Sequence, residues 1–249
     1  MNHLETVGIV GSAGDLGSKL FMQGLHTAHN VCGFDVSGLS PQYERAVDPL
    51  LLPLDEGRLP HAVSLNQLVQ NCTVLHWCAP VSALETLEIL PAQTLLVLHD
   101  SVMQNSVEAA EMLQERSCIL GGVAIVHCRM NPERTVVINE ASDYRERITK
   151  HIKLLGLHSV VLSTVENDTL AAQTQGILAL LCKTVLPQLK SSHEKGLLPP
   201  SGTALYEALT DREARWTSTT LRSLLTNPQL WPLIESMLRY SPTQNNSKV

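Results

Sequence analysis

Short, almost continuous apolar runs alternate with helical patterns through the first two-thirds of this 249-residue chain. A strand with one exposed face alternates apolar and polar residues, and these runs do not. They are typical of strands in a parallel sheet that helices cover on both faces. The alternation of strand and helix patterns therefore predicts a doubly wound α/β domain. The predicted strands are residues 6–10, 30–36, 73–79, 94–100, 121–127, 134–139 and 159–163.

The pattern changes after Ser163, where strand signals stop and a long helical pattern begins. Pro187 is predicted to kink or end this helix, because proline lacks the N–H that a helix interior needs. A loop rich in Ser, Gly and Pro follows over residues 191–202, and then two further helices that separate near Asn227-Pro228. We therefore predict three segments: a sheet domain over 1–163, an all-helical domain over 164–241 and a disordered tail over 242–249.

Composition excludes several classes of function. The formal net charge of −6 and the lack of any Lys/Arg cluster argue against nucleic acid as a partner. No apolar stretch has the length of a membrane span, and no secretory signal precedes the first strand. The six cysteines are scattered without a CxxC pair, which favours free thiols in a reducing compartment over disulfides or a metal site. We therefore expect a cytoplasmic protein without a metal and without a membrane partner.

Three glycines follow the first predicted strand in the segment GSAGDLG. Gly11 permits a tight turn, Gly14 lets a ligand approach the backbone, and Gly17 lets the next helix pack against the sheet. Free amide groups and the positive end of that helix then form a site for a pyrophosphate. The predicted cofactor contacts are Gly11, Ser12, Ala13, Gly14, Asp15, Leu16 and Gly17, together with Cys78, Ala79 and Pro80 after the third strand.

Asp35 ends the second predicted strand, 24 residues after Gly11. A carboxylate there accepts hydrogen bonds from the ribose hydroxyls of NAD and repels the additional phosphate of NADP. The glycine spacing is GxxGxxG and not GxGxxG, so a plain strand–helix turn is the alternative. Together, the glycines and Asp35 predict NAD rather than NADP as the cofactor.

Polar side chains that are suited to chemistry stand near the ends of later strands and in the helical segment. From the residues alone, each has a structural alternative: Ser101 as a helix N-cap, His127 as a hydrogen-bonded strand-end residue, Arg222 as a surface charge and Trp231 as a core residue. Their spacing alone does not decide between the alternatives.

The segments GSAGDLGSKLF, HDSVMQ, HCRMNPERTVVI and LRSLLTNPQLW resemble, in order and spacing, the prephenate dehydrogenase family. These proteins are NAD(P)-dependent cyclohexadienyl dehydrogenases of tyrosine biosynthesis, and the resemblance runs from about Val7 to Leu238. It implies a Rossmann-type domain joined to a helical dimerisation domain, with a small cyclohexadienyl substrate and a homodimer that forms through the C-terminal helices. The apolar residues on more than one side of the helix from Glu166 to Val185 agree with such a dimer.

The resemblance also implies roles for the candidate residues. His127 takes the position of the histidine that contacts the ring hydroxyl and promotes oxidative decarboxylation with hydride transfer to NAD. Ser101 takes the position of the serine that supports this histidine. Arg222 matches the arginine that binds a substrate carboxylate, and Trp231 matches an aromatic residue that lines the site.

Several family positions are changed in this chain. Asn167 and Ala179 stand where the family has histidines, Met103 replaces a lysine, and Cys128 replaces a proline. Either Asn167 suits a related substrate, arogenate or 4-amino-4-deoxyprephenate, or Arg129 supplies the missing positive charge and prephenate is retained. Two other classes stay open: another Rossmann oxidoreductase, of the imine reductase or β-hydroxyacid dehydrogenase type, and a non-catalytic NAD-sensing protein.

Overall fold

A mixed sheet with helices on both faces forms the first part of the molecule, and the described residues after it form only helices and their connections. The structure is a computed structural model that describes residues 5–27, 30–38, 62, 64–116, 121–129 and 134–239. The chain divides into two compact units, Met1–Thr164 and Val165–Val249. The predicted tail over 242–249 lies outside the described residues.

The sheet has seven strands in the order β2-β1-β3-β4-β5-β6-β7, and it confirms the predicted α/β fold class. All neighbouring strands are parallel except β5 and β6, which are antiparallel. Only residues 130–134 separate these two strands, and a crossover between parallel strands needs a longer connection. The strands are β1 (Thr6–Val10), β2 (Asn30–Phe34), β3 (Val74–Trp77), β4 (Leu95–His99), β5 (Gly122–Arg129), β6 (Thr135–Asn139) and β7 (His158–Leu162).

Helices cover both faces of the sheet, which gives the unit two hydrophobic cores. One core includes Phe21 and Ile152 from the helices on the first face, and the other includes Trp77 and Leu113 on the second face. Burial on both faces explains why the strands β1, β3, β4 and β6 read as continuous apolar runs, whereas the edge strand β7 is largely exposed. The first face carries α1 (Asp15–His26) and α4 (Arg145–Leu154), and the second carries α2 (Leu65–Asn71), a 3-10 helix (Val81–Thr86) and α3 (Met103–Glu115).

The order of the strands creates a switch point beside β1. The chain crosses from β1 to β2 on one side and then returns past β1 to β3 on the other side. The connections that follow β1 and β3 therefore leave the carboxyl ends of these strands in opposite directions, which opens a crevice between them. Open α/β sheets bind their ligands in such a crevice. The glycine turn follows β1 and therefore lies at this crevice.

The second unit contains only helices among its described residues. The long helix that begins at Thr164 includes a π-helical turn and ends at Thr184, and the next helix is bent from it by 46° beside Pro187, as predicted. No single described helix has the length and apolar character to cross a membrane; these two reach it only when taken together. The helices are α5 (Thr164–Ala171), the π-helical turn (Ala172–Gly176), α6 (Ile177–Thr184), α7 (Leu186–Glu194), α8 (Pro200–Ala214), α9 (Ser218–Leu225) and α10 (Leu230–Arg239).

Two details of the helical prediction are wrong. The loop predicted over 191–202 is shorter, because α7 continues to Glu194 and α8 already begins at Pro200. Three helices then follow where two were predicted. The additional break occurs because the hydroxyl of Thr217 accepts a hydrogen bond from the Thr220 amide and so starts α9 as its N-cap.

Candidate functional site

The glycine turn after β1 is held against the ends of two neighbouring strands. The amides of Gly11 and Ser12 donate to the carbonyl of Phe34 at 2.8 and 3.3 Å. Gly11 has a φ of +78°, and a Cβ atom there would lie 2.9 Å from the amide nitrogen of Ala79. A Cβ atom on Gly17 would lie 2.1 Å from the Gly11 carbonyl oxygen, so the helix packs onto the turn only with a bare backbone at both positions.

The first turn of α1 has the properties of an anion site. Gly14 is its N-cap residue and has no side chain with which to cap the helix. The amides of Asp15, Leu16 and Gly17 therefore have no acceptor within the helix, at the end where its dipole is positive. Ser12 in the same turn is fully buried, and its hydroxyl has no hydrogen-bond partner among the described residues. This arrangement fits a pyrophosphate group.

Asp35 lies directly beside this turn, at the carboxyl end of β2. Its Oδ2 accepts a hydrogen bond from the Ala13 amide at 3.2 Å, and its Oδ1 accepts from the amide and hydroxyl of Ser37 at 3.0 and 2.7 Å. These bonds fix a carboxylate next to the predicted pyrophosphate site. That is where the ribose of a dinucleotide presents its hydroxyls.

The segment after β3 completes the crevice. The Cys78 amide donates to the Val10 carbonyl at 2.9 Å, and the indole nitrogen of Trp77 donates to the Pro80 carbonyl at 3.2 Å. Cys78, Ala79 and Pro80 therefore lie beside the glycine turn. Burial, with a smaller contribution from Cys128, raises the pKa of the Cys78 thiol well above its usual value, so the thiol brings no negative charge to a phosphate site.

Ser101 and His127 lie one residue beyond a hydrogen bond that joins neighbouring strands. The Asp100 amide donates to the Val126 carbonyl at 3.4 Å, and the two candidates follow these residues directly. His127 is only 4% exposed. The N-cap residue of α3 is Val102, which directly follows Ser101. The structure thus brings both predicted catalytic residues to the carboxyl ends of β4 and β5.

A chain of buried histidines was missed as a functional feature by the sequence prediction. His76 of β3 is hydrogen-bonded to His99 of β4 and to His151 of α4, and His151 is hydrogen-bonded to Glu5. Burial is the main cause that lowers the pKa of His99 to about 3 and the pKa of His76 well below 6.5. The signal in the sequence is a histidine inside each of two apolar strands, which demands a polar partner.

The remaining candidates belong mostly to the second unit. Asn167 is fully buried and donates to the Asp168 carboxylate at 3.0 Å. Arg222 is exposed on α9, and Trp231 is 57% exposed on α10, so the interpretation of Trp231 as a core residue is wrong. Arg129 is the last residue of β5, and its side chain lies outside the described part of the structure.

Comparison with solved structures finds the same fold in several dehydrogenases. A putative prephenate dehydrogenase from Corynebacterium glutamicum matches with a TM-score of 0.67 at 15% identity, over 94% of this chain and 78% of its own. Prephenate dehydrogenase from Aquifex aeolicus, in complex with hydroxyphenyl propionate and NAD+, matches with a TM-score of 0.64 at 15% identity. The match covers 94% of this chain and 87% of that enzyme. An imine reductase from Aspergillus terreus, in complex with NADPH4 and dibenz[c,e]azepine, matches with a TM-score of 0.52 at 13% identity. The match covers 87% of this chain and 98% of the reductase.

Searches by sequence give a different result. No protein-family model matches the chain, and no curated protein matches it. At identities of 15% and below, the structural matches establish the fold: a Rossmann-type sheet that is followed by helices.

Proposed function

We propose that this protein is an NAD-dependent dehydrogenase that oxidises and decarboxylates a prephenate-like cyclohexadienyl substrate. The observation that carries the proposal is the crevice beside β1, where a bare glycine turn and the fixed carboxylate of Asp35 adjoin each other. A turn that served only to connect a strand to a helix would not need a carboxylate bonded to its amide. The fold shared with prephenate dehydrogenases supports the reaction class.

The residues around this crevice suit NAD. The amides of Asp15 and Leu16 would hold the pyrophosphate, and Asp35 would accept hydrogen bonds from the ribose hydroxyls. The same carboxylate would repel the additional phosphate of NADP. When bound, NAD supplies a nicotinamide that accepts a hydride.

His127 is the residue that we assign to the hydroxyl of the substrate. A neutral imidazole can accept the hydroxyl proton as the carbonyl forms. Ser101, at the end of the adjacent strand, orients the imidazole. Loss of the ring carboxylate as carbon dioxide then leaves an aromatic ring, which drives the reaction.

Residues of the second unit would recognise the rest of the substrate. Arg222 offers a planar guanidinium that binds a carboxylate through two hydrogen bonds, and Trp231 offers an exposed aromatic face. Asn167 replaces a family histidine with a neutral amide, which favours arogenate or 4-amino-4-deoxyprephenate as the substrate. A contribution of charge from Arg129 would instead favour prephenate.

Two measurements on the unmodified protein test this proposal. Calorimetry should show binding of NAD, with weaker binding of NADP. Steady-state assays with NAD and each of prephenate, arogenate and 4-amino-4-deoxyprephenate should show reduction of NAD with one of them. Binding without turnover of any of the three would leave an imine reductase, a β-hydroxyacid dehydrogenase or an NAD sensor, and absence of binding would overturn the proposal.

We also propose that the two units divide the work, with the cofactor bound by residues 1–163 and with substrate recognition and dimerisation assigned to 164–241. The second unit exposes large apolar side chains that a homodimer interface would cover. Sedimentation should give a dimer at micromolar concentration, and a monomer would contradict this assignment. These exposed residues include Val165, Leu170, Leu197, Leu205, Met237 and Leu238.

A further inference from the structure

The two outer strands of the sheet, β2 and β7, differ in how their free edges are covered. On β2 the Gly33 carbonyl accepts a hydrogen bond from the Ala62 amide at 2.8 Å, so another segment of the chain covers this edge. On β7 no described residue provides such a cover. Its residues Val160 and Val161 are 44% and 45% exposed, although both are apolar. The sheet of the first unit therefore ends in an exposed edge strand.

The hydrogen bonds between β7 and its inner neighbour β6 show which backbone groups of β7 point outward. The His158 amide donates to the Arg134 carbonyl at 3.1 Å, and the Leu162 carbonyl accepts from the Glu140 amide at 3.0 Å. Residues 158 and 162 therefore direct their backbone groups toward β6. Successive residues of a strand direct these groups to opposite sides, so residues 159 and 161 direct theirs toward the free edge.

This free edge lacks the features that usually protect an outer strand. Proteins blunt such edges with charged residues, proline, a bulge or a covering segment, because unpaired amide and carbonyl groups are a template for another strand. β7 has the sequence HSVVL, without a charged residue or a proline. Its five residues pair with β6 in an unbroken register, without a bulge. The outward groups of Ser159 and Val161 are thus available to a further strand.

We propose that β7 pairs with β7 of a second copy of this chain, antiparallel and about a two-fold axis at Val160. In this register Ser159 lies opposite Val161 of the second copy, and the two residues exchange N–H···O=C bonds in both directions. The symmetry of the axis repeats this pair on its other side. The outward amide and carbonyl groups of both strands are then satisfied, and the two sheets become continuous.

The charges at the ends of β7 favour a second copy as the partner strand. Arg134 and Glu140 are exposed, and each lies one residue beyond the paired register of β6 and β7, at opposite ends. Antiparallel pairing brings the basic end of one copy beside the acidic end of the other. With the axis at Val160, Arg134 of one copy and Glu140 of the other lie in the same row across the sheet. An axis at Val161 would offset these opposite charges by two residues.

This contact is separate from the helical interface proposed above, because β7 belongs to the first unit. Two different two-fold contacts join dimers into a tetramer. A contact of one short strand is small, and small interfaces are weak. Sedimentation of the full chain should therefore show the mass rising toward twice its low-concentration value between micromolar and submillimolar concentrations. A mass that is constant over this range would overturn the proposal.

Charged residues at the axis test the register. Val160→Lys and Val160→Glu should each weaken this association about tenfold or more, because like charges directly opposite each other repel. An equimolar mixture of the two variants should restore it, which also shows that both variants are folded. The matched control is Ile89→Lys, at another exposed apolar position of the first unit, and it should associate like wild type. Unchanged association of Val160→Lys, or no restoration in the mixture, would overturn the proposal.

A cross-link at the axis tests the same contact without the helical interface or the dehydrogenase activity. The two Val160 residues form a non-hydrogen-bonded pair with Cα atoms about 4.5 Å apart, a separation that a disulfide spans. Val160→Cys should therefore form a covalent dimer when it is incubated with oxidised glutathione. Wild type, with its own cysteines, and Ile89→Cys are the controls and should not. Equal cross-linking in Val160→Cys and in these controls would overturn the proposal.

Discussion

The glycine turn and the hydrogen-bonded chain of His99, His76, His151 and Glu5 (the histidine chain) are both polar features of the sheet unit, but they are built in opposite ways. The turn works because side chains are missing, so that a carbonyl, a helix end and the next strand come within contact distance. The histidine chain forms because buried side chains fill the interior and hydrogen-bond to one another. The comparison teaches that space for a ligand is encoded locally, whereas a buried polar network depends on residues that are distant in sequence.

Replacement of the proposed catalytic imidazole should separate catalysis from cofactor binding. His127→Asn should reduce kcat by roughly 100-fold to 10,000-fold, the usual contribution of a general base, and leave the affinity for NAD unchanged. Steady-state kinetics and calorimetry on the same preparation measure both quantities. An exposed strand histidine gives the control, since His158→Asn should change neither. Wild-type turnover by His127→Asn would show that this imidazole is not the base.

A side chain added at Gly17 should destabilise the glycine turn without affecting the buried histidines. Gly17→Ala should lower the free energy of unfolding by about 3 kcal/mol, because its Cβ would lie 2.1 Å from a backbone oxygen and the backbone would have to move. Urea unfolding measures the loss, and calorimetry should show weakened NAD binding. Gly14→Ala is the graded control, because its Cβ would be 3.2 Å from the same oxygen and should cost less. Equal stability of the two variants would contradict this geometry.

Low pH should lower the free energy of unfolding of the sheet unit because of its buried histidines, and not because of the glycine turn. His76 and His99 have lowered pKa values in the folded protein, so the unfolded chain binds more protons below pH 6.5. Their contribution is complete above about pH 6.5 and is lost as the pH falls toward 3. Because of these two groups, the free energy of unfolding should be about 2 kcal/mol lower at pH 5.5 than at pH 6.5.

Urea titrations at these two pH values measure that loss. The His99→Gln variant should lose about half as much, because one of the two shifted groups is gone. The exposed His158→Gln variant should behave like wild type. A pH dependence that is the same in His99→Gln as in wild type would contradict the assignment to the buried rings.

The smallest effect should come from the carboxylate beside the turn. Asp35→Asn should weaken NAD binding about tenfold, because hydrogen bonds from the ribose to a charged acceptor are replaced by neutral ones. It should also reduce the preference for NAD over NADP. Calorimetry with both dinucleotides measures the change, and Asp211→Asn on the surface of α8 is the control. An unaltered NAD affinity would place the ribose elsewhere.

Much of the fold could be predicted because its signals are local. Each strand is a short apolar run, and the end of the long helix near Pro187 follows from one residue. The antiparallel pairing of β5 and β6 was not predicted, although the short connection between them already required it. The break before α9 was missed because a threonine cap has no strong signature in an uninterrupted helical pattern.

The candidate site was predictable in part. Gly11, Gly17 and Asp35 could be identified because their spacing along a strand–turn–helix unit is fixed by the geometry of that unit. His76 and His99 could be recognised only as histidines in apolar strands, without their partners. No local pattern connects either of them to a histidine on α4 or to a glutamate before β1.

The sequence by itself determined the doubly wound sheet, the bare turn at its switch point and the carboxylate beside that turn, since all three depend on neighbours along the chain. Tertiary structure alone decided the histidine chain. Its bonds join residues that are 23, 75 and 146 positions apart. Hydrogen bonds act over about 3 Å, so such a network exists only after the sheet and α4 have brought these side chains together.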